Sequence, residues 1–364
     1  MSLKCGLVGL PNVGKSTLFN VLTKSRVPSK NFPFCTINSN IGISFVEDNR
    51  IKNICKIINS TNNVVKSYIK FVDIAGLVKN SHLGSGLGNK FLNSIKDVDI
   101  ILHVVRFFKN KDIIHVNNKI DPIYDVNLVN TELILSDFQE CQKIIFNYKK
   151  RFNKRERDNK NIENILNILK ICSNSLKKNI MLNEVYFNKD QVNILKSFRF
   201  ITMKNIIYIA NIDLEDFVKI KIENNKILNI EKFPYKVFPI CINFYEINFG
   251  YKKSFYKNLL SFFLEDIKNI ILKSYISLKL QTFFTVGSKE IKSWTIKKGT
   301  TAIEAAKIIH TDFKKGFIRA KVISYKDFII HKKIENLKKY GRYRLEGKNY
   351  KLIDGDIIHF LFNI

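Results

Sequence analysis

Eight residues, Gly9-Leu10-Pro11-Asn12-Val13-Gly14-Lys15-Ser16, constrain this chain more than any other stretch of its sequence. The spacing Gly9-x4-Gly14-Lys15-Ser16 is that of a loop wound around a phosphate. Glycines let backbone N–H groups curl toward the β-phosphate. Lys15 reaches the β- and γ-phosphates, and the Ser16 hydroxyl stands where Mg²⁺ is held. The flanks agree. Cys5-Gly6-Leu7-Val8 suits a short buried strand, and Thr17-Leu18-Phe19-Asn20-Val21-Leu22 has the apolar spacing of a helix. A strand that turns through such a loop into a helix belongs to the doubly wound α/β class with a mostly parallel sheet.

A second motif stands downstream. Ile69-Lys70-Phe71-Val72 reads as a strand that ends in Asp73-Ile74-Ala75-Gly76, the DxxG switch of guanine-nucleotide-type P-loop proteins. Asp73 is expected to bind the metal through water and the Gly76 N–H to sense the γ-phosphate. Between the two motifs, Thr36 is placed to be the threonine that completes the Mg²⁺ shell. Leu77 follows the switch glycine, where Ras-like enzymes carry a glutamine that orients the attacking water. A leucine side chain has no donor or acceptor, so either the chain does not hydrolyse or another group positions the water. Gly84-Ser85-Gly86-Leu87-Gly88 reads as a mobile switch segment.

Composition sets limits. The 364 residues leave room for two or three domains, with 45% hydrophobic content. No uncharged apolar run approaches the ~18–20 residues of a membrane span. Met1 to Lys4 lead straight into the first strand, so no secretory signal is expected. The six cysteines are scattered without a CxxC pair, which suggests neither zinc nor disulfides and fits a reducing cytoplasm. The formal net charge of +29 has two readings. It suits a polyanionic partner, which for a cytosolic P-loop protein means RNA or the ribosome. It also suits codon drift, because the chain is rich in Lys, Ile, Asn and Phe together.

The period changes at Asn130. Ile134, Phe138, Cys141, Ile145 and Tyr148 form one narrow apolar stripe, and Ile162, Ile165, Leu169, Cys172 and Leu176 another. A polar stretch with Arg151, Lys154, Arg155 and Arg157 joins them, which predicts an antiparallel helical hairpin with a basic tip. The strand Asn205 to Ala210 then ends in Asn211-Ile212-Asp213-Leu214. This is the position of the guanine-selecting NKxD motif, here without Lys at its second place or Asp at its fourth, so guanine selection is expected to be lost. From about Lys279 short strands alternate with turns, which predicts a small α+β unit. His310 in that unit reads as a capping or packing residue.

Taken together, GLPNVGKSTLFN, NFPFCTI, DIAGLVK, GLGNKFL, HVVR, IIHV and VNTEL resemble the YchF family of Obg-like, ribosome-binding ATPases. The ending QTFFTVGSKEIKSWTI, HTDFKKGFIRA and DGDIIHFLFN resembles that family's C-terminal TGS domain, a β-grasp module. The resemblance implies a P-loop NTPase domain of the G type at 1–129 and 200–278, an inserted coiled-coil arm at 130–199 and a TGS domain at 279–364. It implies a cytoplasmic ATPase that uses Mg²⁺, with the ribosome and its RNA as partner and neither membrane nor DNA. The nucleotide set is Gly9, Leu10, Pro11, Asn12, Val13, Gly14, Lys15, Ser16, Thr17, Asp73, Gly76, Asn211 and Ile212. In the family the asparagine and the next residue's backbone contact adenine. The family's Glu at the fourth place of the base motif is Leu214 here, with Glu215 next to it, and the later base loop Cys241-Ile242-Asn243 lacks the usual Ser-Ala. These departures leave mixed specificity, or a nucleotide-gated module with negligible turnover, as alternatives. Asn12 either coordinates K⁺, as in related P-loop proteins, or merely tolerates the turn. The histidine of IIHV is implicated in hydrolysis in the family, which assigns that role to His115. His103, on a strand, reads as a core residue, and His82 lies in the switch segment.

Overall fold

The computed structural model describes residues 3–24, 41–58, 63–74, 86–110, 112–113, 115, 119–155, 160–223, 225–246, 253–287 and 290–363. Thr36, Gly76, Leu77, His82 and Arg157 lie outside them, as do the side chains of Arg151, Lys154 and Arg155. The strands are β1 Lys4–Val8, β2 Ile41–Phe45, β3 Asn63–Val65, β4 Tyr68–Asp73, β5 Ile100–Arg106, β6 Ile206–Asn211, β7 Val237–Ile240, β8 Leu280–Val286, β9 Glu290–Lys297, β10 Phe317–Ile323, β11 Arg344–Glu346 and β12 Ile357–Phe362. The helices are α1 Lys15–Lys24, α2 Asn49–Ile58, α3 Gly86–Lys96, α4 Pro122–Arg155, α5 Lys160–Lys177, α6 Lys189–Leu195, α7 Leu214–Lys221, α8 Leu228–Glu231, α9 Lys253–Ser277, α10 Ala302–Ile309, α11 Thr311–Lys315, α12 Tyr325–His331 and α13 Ile334–Lys339. Among the described residues, no helix is long and apolar enough to cross a membrane.

One sheet runs in the order β2-β4-β1-β5-β6-β7. The pairs β1–β5, β5–β6 and β6–β7 are parallel. Every residue of β5 is buried, as a strand covered on both faces requires. This is the α/β nucleotide-binding fold expected from the loop. A second sheet has the order β11-β10-β12-β8-β9-β3.

The chain divides into two compact units, one of Leu3–Gly42 with Phe71–Asp266, the other of Ile43–Lys70 with Ile267–Ile364 and Met1–Ser2. The sequence places 43–70 with the nucleotide domain, whereas this division groups them with the C-terminal sheet. The cause is packing. Ile51 and Ile54 of α2 share a buried cluster with Phe284, Ile291, Ile323, Phe328, Leu337 and Ile357. β3 adds to the sheet edge in parallel with β9, and the Ser67 N–H donates to Ser293 Oγ at 2.7 Å. Arg50 closes the group with two bonds to the Asp354 carboxylate. On the other sheet face, Ala302, Ala305 and Ala306 of α10 pack with Phe283, Ala320, Val322 and Phe360. His310 accepts from the Asp312 N–H at 3.2 Å and caps α11.

The helical hairpin forms, but α4 begins at Pro122 rather than near Asn130. Proline suits a first helical position because its missing N–H has no intrahelical partner there. The opening turns of α4 belong to the core of their unit, since Val126 packs with Val105, Tyr208 and Phe233. That wider burial hides the narrow stripe that marks the later turns. Further along, Gln142 donates to Ser173 at 2.8 Å, and Cys141 meets the Leu169 carbonyl. Burial pushes the Cys141 and Cys172 thiols up to about 12, so both behave as small apolar side chains.

Asp137 anchors the middle of α4. Its buried carboxylate accepts from the N–H groups of Ile201 and Thr202 and from the Thr202 hydroxyl, at 3.0, 2.7 and 2.7 Å. Burial raises its pKa, and the three donors oppose the rise. Removing the acceptor strands buried donors. Asp137→Ala should therefore cost about 2–4 kcal/mol of stability, read as a lowered urea midpoint. An unchanged midpoint would show that water replaces the carboxylate.

Candidate functional site

The phosphate loop lies between β1 and α1, as its sequence requires. Two glycines explain its path. A Cβ on Gly9 would run into the Val104 carbonyl of β5. Gly14 has φ +96°, and a Cβ there would lie 2.7 Å from Asn211 Nδ2. Asn12 also lies in the left-handed region, at φ 62°, which asparagine tolerates better than most residues. Leu10 and Val13 are buried, Pro11 and Thr17 are half-buried, and Asn12 and Ser16 face outward. α1 begins at Lys15, with the Leu18 N–H donating to the Gly14 carbonyl at 2.9 Å. The first N–H groups of that helix have no intrahelical acceptor and suit an anion.

Lys15 is only 8% exposed, and its Nζ donates to the Leu10 carbonyl at 2.7 Å. Burial pushes its pKa down to about 8, opposed by the charge of Asp73 at the end of β4. The structure thus brings Asp73 and the loop lysine into one field. His103 lies beneath, buried on β5, and burial with the Lys15 charge pushes it down to about 3. It is a neutral core histidine at physiological pH. The oxygen donors of Ser16 and Asp73 suit a hard cation such as Mg²⁺, which keeps water and phosphate in the rest of its shell.

On the base side, Asn211 ends β6 and is buried. Its Nδ2 donates to the Val13 carbonyl at 3.0 Å, and its Oδ1 accepts from the Ile242 N–H at 3.2 Å. The Ile212 N–H donates to the Ile240 carbonyl at 3.0 Å, so its own carbonyl is the backbone group left to face a base. Asp213 caps α7 by accepting from the Asp216 N–H at 2.9 Å. Leu214 is the first residue of α7. The exposed Glu215 pairs with Lys219 at 2.7 Å.

After β5 the chain winds around a buried arginine. Arg106, 1% exposed, donates to the carbonyls of Phe108, Asn110 and Ile113 at 3.3, 3.0 and 3.0 Å. Its guanidinium carbon lies 4.4 Å from the Phe108 ring centroid. Burial lowers its pKa, and the charge of Asp125 opposes that. His115 follows this turn. Its Nε2 meets Asp125 Oδ2 at 2.9 Å, with both residues buried. The sequence reading missed Arg106 and Asp125. The signal for Asp125 was an acid in the first turn of a proline-led helix, which reads as a helix-dipole partner.

Curated proteins from three bacteria align with the chain over the full length of both partners. They come from Buchnera aphidicola of Acyrthosiphon pisum at 47% identity, Haemophilus influenzae at 41% and Escherichia coli O157:H7 at 40%. The chain belongs to the YchF family. All three relatives are named ribosome-binding ATPase YchF. The YchF GTPase of Schizosaccharomyces pombe shares the fold with a TM-score of 0.84 at 31% identity, over 99% of this chain and 98% of that one. The family model YchF-GTPase_C, "Protein of unknown function (DUF933)", matches residues 280–363, and the "50S ribosome-binding GTPase" model matches residues 4–177.

The lowered pKa of Lys15 has a measurable consequence in this YchF-family site. Bound phosphate favours the cation, so above pH ~8 binding must first take up a proton. Affinity for ATP should fall as pH rises past 8, by up to about tenfold per unit. Lys15→Arg, charged throughout, should flatten the slope. Equilibrium titrations between pH 7 and 9.5 read both, and a flat parental profile would refute the account.

Proposed function

We propose that this chain is a cytoplasmic, Mg²⁺-dependent ATPase that hydrolyses ATP to ADP and phosphate and binds the ribosome according to its nucleotide state. The arrangement of Asp213 and Leu214 carries the choice of nucleotide. A guanine-selecting site needs a carboxylate at the fourth place of the base motif. Here that place is Leu214, while the neighbouring acids serve as a helix cap and a surface ion pair. An adenine needs only the Asn211 amide and the Ile212 backbone.

Phosphoryl transfer to water needs positioning and charge neutralisation more than covalent chemistry. Lys15 and the loop N–H groups from Gly9 to Thr17 hold the phosphates. Ser16 and Thr36 would hold Mg²⁺ directly and Asp73 through water, supplying charge neutralisation; Asn12 would hold K⁺. Gly76 senses the γ-phosphate. Leu77 cannot position water, and His115 takes that role. The names of the bacterial relatives support the ribosome as partner, and a net charge of +29 suits ribosomal RNA. We assign that contact to the arm at 130–199, with Arg151, Lys154, Arg155 and Arg157 at its tip, and regulation to the TGS region at 279–364. A second reading, a nucleotide-gated module with negligible turnover, draws on the bond that holds His115 against Asp125. The S. pombe relative named a GTPase keeps mixed specificity as a further alternative.

Single-turnover hydrolysis of ATP and GTP in K⁺ buffer, with and without ribosomes, separates these readings. ATP should displace a labelled nucleotide at about tenfold lower concentration than GTP or better, and Leu214→Asp should narrow the gap. Equal displacement by GTP would refute ATP selectivity. His115→Ala should slow hydrolysis by about 10²–10⁴-fold while ATP affinity holds. Ribosome co-sedimentation should weaken steeply with salt and change with a non-hydrolysable ATP analogue. Binding indifferent to both would point to another partner.

A further inference from the structure

We propose that Asp125 is the positioning residue of His115, fixing the ring orientation and tautomer with which His115 meets the attacking water. The inference rests on the hydrolytic role of His115 proposed above and adds the residue that makes the role possible. A histidine on a loop has two ring nitrogens and two neutral tautomers, and without a partner it samples both. Here the Nε2–Oδ2 distance is 2.9 Å, and the two residues are 6% and 3% exposed. A carboxylate only accepts, so Nε2 carries the proton and the lone pair of the neutral ring lies on Nδ1. That nitrogen is the one able to accept from a water.

Each partner is itself held. The loop carrying His115 is wound on the Arg106 guanidinium through the carbonyls of Phe108, Asn110 and Ile113. Asp125 is fixed in the first turn of α4, where its N–H donates to the Asp121 carbonyl at 2.9 Å. The Asp121 carboxylate caps the same turn by accepting from the Tyr124 N–H at 3.1 Å. A helix N-terminus favours a negative side chain, and the Arg106 charge faces the same carboxylate. A buried carboxylate so compensated can hold the imidazole without a large desolvation penalty.

The test uses the full chain, single-turnover ATP hydrolysis and ATP affinity in parallel. Asparagine offers Nε2 a donor or a neutral acceptor, and either weakens the hold. Asp125→Asn should therefore cut the hydrolysis rate by about 10–100-fold and leave ATP affinity within about twofold. In the His115→Ala background the same substitution should add nothing, because a residue that acts through His115 has nothing left to act on. Additive losses, or an Asp125→Asn rate equal to the parental one beside a slow His115→Ala, would overturn the positioning role while leaving His115 in place. A parental rate in His115→Ala would overturn both. A measurement without variants guards against misfolding. ¹⁵N shifts of the His115 ring in the parental protein should report the Nε2–H tautomer, and a dominant Nδ1–H form would overturn the proposal.

Discussion

The Asn211 side chain is the point on which the nucleotide site depends. One buried amide donates to the Val13 carbonyl of the phosphate loop and accepts from Ile242 of the base loop. Its backbone carbonyl accepts from the Phe107 and Phe108 N–H groups at the start of the segment that leads to His115. Three stretches far apart in sequence are therefore set by one residue at the end of β6. Breaking such a link leaves buried polar groups without partners, which costs more than the bond contributes net. The glycine at position 14 fits the same logic, since a side chain there would displace the Asn211 amide from the loop it holds.

A second element organises the same unit. Over its 34 residues, α4 carries Asp125 against His115, Asn130 beside the Tyr208 and Tyr235 hydroxyls, Asp137 on the 201–202 backbone and Gln142 against α5. Lys204 follows that backbone segment and donates to the carbonyls of Ile95, Lys96 and Val98, at 2.6, 2.7 and 2.5 Å, closing the C-terminus of α3. Burial pushes Lys204 down to about 8, against the pull of Asp99, Asp137 and Asp97. The helix that follows the switch segment and the helix that forms the arm are thus tied to the same short stretch by buried polar bonds. Such bonds tolerate little slack, because their groups have no water to turn to.

How much of this was legible in the sequence depends on the range of the interaction. The phosphate loop, the β1–loop–α1 unit, the buried β5 and the stripes of the hairpin are local patterns, and the structure carries them where the sequence puts them. The membership of 43–70 was not legible. Nothing within Asn63–Val65 says that it pairs with β9 rather than with a strand of the first sheet, and the apolar face of α2 would suit either. The start of α4 was missed because its first turns pack into a broad core and carry no narrow stripe. Asp125 and Arg106 were invisible as a pair with His115, since a buried polar contact leaves no periodic trace. Asp213 was read only as part of an altered base motif, and its cap on α7 explains why an acid stands there.

Lys15 shows why the loop and its surroundings need each other. A cation taken from water into a site 8% exposed loses solvation that one carbonyl at 2.7 Å repays only in part, and the fall of its pKa to about 8 measures that deficit. Asp73 offsets some of it. His103 cannot help, because a second positive charge beneath Lys15 is what holds its own pKa near 3. The remaining compensation has to come from outside the chain, and a group with several negative oxygens placed at the α1 N-terminus supplies it. The electrostatics of the empty loop therefore already favour a phosphate over water, before any base or switch residue makes contact.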